Sequence, residues 1–270
     1  MARRVGCVVK VLVALVALLA LGTTGVGATA SEPARTRPLV IVYGDSLTSQ
    51  SKPEIQARLS KLRPGWRMII RAQGGSAICD WLPAMRDDAA LRPRIVVLQF
   101  SGNIRTPCIL DRATAEGSAW QRSYAHDAAT AAAMWANQGA TVVIVGNPRP
   151  YTQPTLTRGP HPLDATYKRV ARRVARTVGR VIFNDRPELA VAEPDPTDPA
   201  KIVFPGALPC LPGEVARPEC RGGSIQVRDA GGGHFCPVAK PDEQPCPVYS
   251  SGIVRFGDAI ASAVIASSGG

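Results

Sequence analysis

The chain has 270 residues, a hydrophobic content of 45% and a formal net charge of +11 at pH 7. This length fits one large α/β domain, and the hydrophobic content excludes a disordered chain. The arginines are scattered without interleaved aromatic residues, so the positive charge does not indicate a nucleic-acid partner. It is compatible with peripheral attraction to an anionic cell envelope. The densest basic cluster, at 168–180, has helical spacing and is interpreted as a solvated helix face.

The first thirty residues differ in composition from the rest of the chain. Arg3, Arg4 and Lys10 accompany an unbroken run of Val, Leu and Ala at 11–21, and small residues ending in Ala30 follow. The run is shorter than the ~20 residues that a spanning helix needs. The pattern therefore predicts a secretory signal peptide at 1–30 rather than a retained anchor. Its removal takes three Lys or Arg residues and no acid, which leaves a formal charge of +8.

The cysteines also indicate export. Cys7 lies in the signal peptide, and an even number of six remains, which is typical of disulfides in an exported chain, although six cysteines allow fifteen connectivities. Zinc is the competing interpretation, but the chain has no CxxC pair and only three histidines, so no metal is expected. Order along the chain favours the pairs Cys79–Cys108, Cys210–Cys220 and Cys236–Cys246.

Apolar runs alternate with helical patterns along the chain. The continuous runs predict strands that are buried on both faces, as in a parallel sheet, and the striped segments predict helices. Strands are expected at 38–43, 68–70, 95–100, 141–145 and 181–183, and helices at 53–62, 118–138, 163–178 and 250–266. The result is one doubly wound α/β domain at 31–270. Its segment at about 186–249 is rich in Pro, Gly and Cys, and we expect it to be irregular and pinned by disulfides.

Three of the predicted strands end in small polar residues, at 44–46, 74–76 and 101–103. The carboxyl ends of parallel strands meet at one edge of the sheet, where ligands bind. A hydroxyl, several N–H donors and a carboxamide would collect there, and acyl transfer needs such a nucleophile and oxyanion donors. Each piece has a structural alternative, because Ser46 could cap a helix, Asn103 could be a turn residue and 74–75 a plain loop.

The segment Val42-Tyr-Gly-Asp-Ser-Leu-Thr48 resembles the first sequence block of the SGNH/GDSL hydrolases. Gly75, Asn103 and His234 are similar to the later three blocks in their order and placement. The resemblance implies a flavodoxin-like three-layer α/β/α sandwich with a mostly parallel five-stranded sheet. It also implies that Ser46 attacks an ester, that His234 is its base, and that no cofactor is needed. The oxyanion hole would consist of the N–H groups of Ser46 and Gly75 and the Asn103 side chain.

Two positions depart from the pattern of that family. Ile104 stands where the third block usually has Asp, and Gly231 stands where the last block usually has Asp, three residues before the histidine. The nearest acid is Asp229, five residues before His234. The group that orients the histidine is therefore Asp229, a backbone carbonyl, or none.

Two other histidines compete with His234 for the role of base. His126 lies in the Ala-rich helix and is expected on its surface, whereas His161 lies between two prolines in a loop. With His234 as the base, the resemblance predicts a hydrolase that cleaves carboxylic esters of lipids or acylated envelope glycans through a Ser46 acyl-enzyme. We expect this hydrolase to be secreted and monomeric. The alternatives are an acyltransferase acting on cell-envelope sugars at the same site, and a non-catalytic surface binding module.

Overall fold

The computed structural model describes residues 37–112, 118–150, 158–238 and 246–269. The predicted signal peptide at 1–30 lies outside these residues and stays a prediction. Within the described residues, no helix combines the length and the apolar character that crossing a membrane requires.

Five parallel strands form the central sheet, in the order β2-β1-β3-β4-β5. Each continuous apolar run became one strand, and the register is regular, with Val42 of β1 opposite Ile70 of β2 and Val97 of β3. The predicted parallel five-stranded sheet is confirmed. The strands are β1 (Leu39–Gly44), β2 (Arg67–Ala72), β3 (Ile95–Gln99), β4 (Thr141–Val145) and β5 (Val181–Asn184).

Helices cover both faces of the sheet, which gives the predicted three-layer sandwich. Alternate strand residues point to opposite faces: Ile41 packs with the helix layer α2, α4 and α5, and Val42 packs with α1 and α7. The helices are α1 (Ser46–Leu62), α2 (Ile78–Asp88, followed by a 3-10 turn at Ala89–Leu91), α3 (Pro107–Leu110), α4 (Ala119–Asn137), α5 (Asp164–Val178), α6 (Arg186–Leu189) and α7 (Ser251–Ala266).

Helix α1 begins seven residues earlier than predicted. The prediction rested on the apolar stripe of Ile55, Leu59 and Leu62, but Asp45 caps the helix and Pro53 lies inside it. The polar side chains of Gln50 and Ser51 are buried, which hid the first turns from a search for an apolar stripe. The sequence also did not predict α2, which contains Pro83.

The segment at 186–249 contains more regular structure than expected. Four short strands form two antiparallel pairs: β6 (Glu193–Asp195) with β7 (Asp198–Val203), and β8 (Ala207–Pro209) with β9 (Ser224–Gln226). Residues 239–245 of this segment lie outside the described residues. The six cysteines form the three disulfides that their order favoured, Cys79–Cys108, Cys210–Cys220 and Cys236–Cys246.

A buried pair of carboxyl groups joins α5 and α6 beneath the end of β4. Asp164 accepts the N–H groups of His161 at 3.1 Å and Asn147 at 3.4 Å, and it shares a hydrogen bond with Glu188. A Cβ atom at Gly146 would lie 2.8 Å from a Glu188 oxygen, so glycine permits this approach. Burial, together with the hydrogen bond to Asp164 and its charge, holds the pKa of Glu188 well above its usual range. Glu188 therefore carries the shared proton in the folded protein.

This proton makes folding stability depend on pH. Glu188 is protonated when folded and ionised when unfolded above a pKa of about 4.3, so its contribution is fully present below that pH and is lost as the pH rises. Glu188→Gln cannot ionise and should gain stability over the wild type with rising pH, by up to about 1.4 kcal/mol per unit. Urea unfolding between about pH 5 and pH 8 measures this. A pH-independent difference, or equal divergence in the exposed-acid control Asp87→Asn, would contradict it.

Candidate active site

Ser46 lies in the turn between β1 and α1, at the carboxyl edge of the sheet. The preceding residue, Asp45, is the N-cap, and its Oδ1 accepts the N–H of Leu47 at 3.0 Å. Because Asp45 caps the helix, the alternative that Ser46 serves as the cap is wrong. No hydrogen bond of the Ser46 hydroxyl is found within the described residues, and its residue is 8% exposed. The hydroxyl is thus available at a positive helix end.

A close approach between β1 and α1 makes this turn sharp. A Cβ atom at Gly44 would collide with the side chain of Thr48, so only glycine fits. Thr48 donates its N–H at 3.0 Å and its hydroxyl at 2.5 Å to Oε1 of Gln99, at the end of β3. Gln99 in turn donates its amide to Asn147 Oδ1 at 2.7 Å, beyond β4. The first turn of α1 is therefore tied to the ends of two neighbouring strands.

The Asp45 carboxylate joins the Ser46 turn to the loop after β3. Its second oxygen accepts the N–H of Ser101 at 2.5 Å and the Ser101 hydroxyl at 2.6 Å, with Asn103 Nδ2 at 3.4 Å. Asp45 is fully buried, and this burial raises its pKa while the hydrogen bonds from Ser101 lower it. Its role is positional, because its oxygens are engaged by the main chain and side chains of the site.

Asn103 lies between the Ser46 turn and the Gly75 loop. Its Nδ2 donates to the carbonyl of Ser76 at 2.9 Å, and the 3.4 Å contact to Asp45 leaves the second amide hydrogen weakly held. Gly75 has a φ of +74°, which favours glycine. Its N–H meets no acceptor within the described residues. The structure thus brings Ser46, Asn103 and the Gly75 loop to one edge.

His234 follows a glycine turn that folds back on Asp229. The two residues exchange main-chain contacts: Asp229 N–H donates to the His234 carbonyl at 2.9 Å, and His234 N–H donates to Asp229 Oδ1 at 3.0 Å. Gly232 completes the turn with a φ of +67°. The imidazole Nδ1 lies 3.7 Å from Asp229 Oδ2. This distance is longer than a hydrogen bond, so the carboxylate is adjacent to the ring without bonding it.

Gln50 connects the histidine loop to the serine helix. It lies one helical turn after Ser46 on the same face of α1, and its Oε1 accepts the N–H of Phe235 at 2.8 Å and of Cys236 at 3.4 Å. Ser250, the N-cap of α7, donates its hydroxyl to the Phe235 carbonyl at 2.6 Å. His234 is therefore attached, through its neighbour, to the helix face that carries Ser46.

Arg228 supports the same loop from inside the protein. Its guanidinium lies 4.7 Å from the ring centroid of Phe235, and it donates to the carbonyl of Arg149 at 3.3 Å. The residue is 1% exposed, and this burial lowers its pKa to about 9, although the neighbouring Asp229 acts in the opposite direction. The buried cation of Arg228 and the Asp229 carboxylate beside His234 therefore belong to consecutive residues.

The other two histidines lie in different environments. His126 is exposed on α4, as predicted. His161 is buried, and its Nδ1 accepts the N–H of Leu163 at 3.2 Å. Burial and the positive charges of Arg149 and Arg228 lower its pKa to about 3, so it stays neutral in its loop.

A cleft of about 330 Å³ opens beside the Gly75 loop. Gly75, Asp80, Trp81, Arg105 and Thr106 are among its lining residues. The disulfide Cys79–Cys108 ties the start of α2 to α3 at its wall. In the described part of the chain, Cys79, Asp80 and Cys108 have the spacing of metal ligands, but both sulfurs are bonded to each other and are not thiolates.

Sequence reasoning missed the supporting residues Gln50, Ser101 and Arg228. Gln50 had a signal, since it stands four residues after the predicted nucleophile and shares its helix face once α1 is known to begin at Ser46. Ser101 was noted only as part of a polar strand end. Nothing local marks Arg228, because its burial depends on Phe235 and on the loop after β4.

Comparisons with known proteins give matches to solved structures only. No family model matches the chain, and no curated protein matches its sequence. A GDSL-like lipase from Bacteroides thetaiotaomicron matches at 13% identity over 87% of this chain and 92% of that chain, with a TM-score of 0.48. The C-terminal catalytic domain of a peptidoglycan O-acetyltransferase from Streptococcus pneumoniae matches at 17% identity over 86% of this chain and 95% of that chain, with a TM-score of 0.45. An acetylxylan esterase from Geobacillus stearothermophilus matches at 12% identity over 57% of this chain and 77% of that chain, with a TM-score of 0.41.

The bridge from Gln50 to the histidine loop can be tested without any substrate. Gln50→Met removes the acceptor but keeps the bulk, so the amides of Phe235 and Cys236 should exchange with solvent about tenfold faster, as expected for the loss of one buried hydrogen bond. Hydrogen exchange followed by mass spectrometry measures this. Gln50→Glu, which keeps an acceptor, should exchange more slowly than Gln50→Met, and Gln56→Met on the exposed face of α1 should match the wild type. Unchanged exchange in Gln50→Met would contradict the bridge.

Proposed function

We propose that the protein is an exported serine hydrolase that cleaves carboxylic esters through an acyl-enzyme on Ser46. One observation carries this proposal: Ser46 begins a helix whose first turn is buried, and no hydrogen-bond partner of its hydroxyl is found in the described residues, while Asp45 caps the helix and holds the Asn103 loop beside it. A structural serine at this position would itself be the cap. The attachment of the His234 loop to the same helix face, through Gln50, supports a serine–histidine pair.

The reaction proceeds in two steps. Ser46 Oγ attacks the ester carbonyl while His234 takes its proton, and the proton then passes to the departing alcohol as the C–O bond breaks. Water next attacks the acyl-enzyme, with His234 again as the base, and releases the acid and free Ser46. The developing oxyanion would receive the N–H groups of Ser46 and Gly75 and the loosely held hydrogen of Asn103.

The cleft beside Gly75 supports a substrate with a polar portion. Asp80 and Arg105 are exposed at its rim, and Trp81 provides one apolar wall. Sugar rings combine hydroxyl groups with apolar faces, so an acylated glycan suits this lining better than a long acyl chain.

Three disulfides are typical of proteins that fold in an oxidising compartment. Together with the signal pattern at 1–30, they support export of the chain. We propose that the protein acts outside the cytoplasm as a monomer, on esters of the cell envelope.

The nucleophile is tested by chemical labelling and turnover. A fluorophosphonate probe should modify Ser46, and the adduct should be found by peptide mass spectrometry. Ser46→Ala should lose the label and at least about 10³-fold in kcat on p-nitrophenyl acetate. The control Ser60→Ala, on the exposed face of the same helix, should keep both. Equal turnover by wild type and Ser46→Ala would refute the proposal, and absence of both label and turnover in the wild type would favour a binding module.

The role of Asp229 is tested by removing its charge. Asp229→Asn keeps the oxygen that accepts the His234 N–H, so the turn should fold. The imidazolium formed in the first step loses a carboxylate 3.7 Å away, and we expect kcat to fall at least about 10²-fold with little change in KM. Steady-state kinetics and thermal unfolding measure the two effects. A loss below about threefold would leave a Ser46–His234 pair without an acid.

A further inference from the structure

We propose that the outer face of α4 and α5 binds a linear envelope polymer that carries phosphodiester groups. The binding surface is the arginine groove, defined by Arg169, Arg172, Arg173 and Arg176 together with Ala125, Thr166 and Val170. It holds the protein to the polymer, and it is separate from the edge that carries Ser46.

The accessible charged side chains that α4 and α5 themselves carry are all positive. The only acids of α4 and α5, Asp127 and Asp164, are both buried, and Asp127 is already paired with Arg112. No ion pair joins Arg172, Arg173 or Arg176 to a carboxylate in the described ranges, and Lys168 reaches only Asp185, at 3.9 Å. The basic residues of the two helices are Arg122 on α4 and Lys168, Arg169, Arg172, Arg173 and Arg176 on α5. A solvated helix normally mixes both signs, so this face is built to attract an anion.

The arginine groove has the shape of a channel for a chain. It is a concave space of about 550 Å³ between the two helices, with an apolar floor at Ala125 and Val170. Arg169, Arg173 and Arg176 follow one another along one side of α5, over about 10 Å at 1.5 Å per residue. Guanidinium groups repeated at each helical turn match an oxyanion repeated along a polymer, and their planar donors bind phosphate in pairs.

A polymer fits this face better than a bilayer does. Helices that dock on membranes present large apolar side chains beside the basic ones, and none of the exposed large hydrophobic residues found in the described part of the chain lies on α4 or α5. The proposed export of the chain places it among envelope polymers rather than nucleic acids. The planar guanidinium donors bind the oxygen atoms of a phosphodiester in pairs.

The end of the arginine groove that carries Arg173 and Arg176 lies away from the edge that carries Ser46. Helix α5 begins at that edge, where Asp164 meets Asn147, and runs towards the opposite end of the sheet, so Arg176 is near the start of β5. Polymer binding should therefore leave hydrolysis of a small ester unchanged. This makes the inference independent of the proposed hydrolase activity.

Binding is tested with fluorescent poly(glycerol phosphate) by anisotropy, at about 50 mM salt. The double variant Arg173→Gln/Arg176→Gln should weaken binding at least about tenfold and reduce the slope of log affinity against log salt by about two. The matched control Lys61→Gln/Arg67→Gln, which removes two charges from the exposed ends of α1 and β2, should bind within about twofold of the wild type. All three proteins should hydrolyse p-nitrophenyl acetate at equal rates, or be equally inactive.

Four results would overturn the proposal. These are failure of the wild type to bind the polymer, equal binding by the groove variant, an equal loss in the control, and tighter binding to another anion. The last is measured with vesicles of phosphatidylglycerol and phosphatidylcholine and with a single-stranded DNA of equal charge.

Discussion

The buried carboxylate of Asp45 is the constraint around which the edge that carries Ser46 is organised. A carboxylate without water is costly unless hydrogen bonds replace its hydration, and here the donors come from Leu47, Ser101 and Asn103. Any displacement of the loop after β3 would leave this charge unsatisfied. The turn that carries Ser46 and the loop that carries Asn103 are therefore held in one relative position.

The same principle extends beneath the edge through a chain of buried polar side chains. Thr48 bonds Gln99, Gln99 bonds Asn147, and Asn147 meets Asp164, which shares its proton with Glu188. Each member lies near the end of a different strand or near the start of a different helix. Loops after parallel strands have few ladder hydrogen bonds of their own, so this network supplies the rigidity that the proposed oxyanion hole would require.

The histidine half of the edge is held by separate means. Its loop rests on Gln50, on the stacking of Arg228 over Phe235, and on the cap of α7, and the Cys236–Cys246 disulfide follows directly. The 3.7 Å separation of Asp229 and the imidazole is a consequence of this arrangement, because one carboxylate oxygen is engaged by the main chain of the turn.

The sequence by itself determined the layers of the fold, the strand ends where polar residues collect, and the pairing of neighbouring cysteines. These depend on hydrophobic runs and short separations, which a local pattern records. Only the tertiary structure decided where α1 begins, that Asp45 rather than Ser46 caps it, and that Gln50 reaches Phe235, 185 positions away. Burial of a polar side chain carries no periodic signal, because its partners come from distant segments and exist only once the strands and helices have packed.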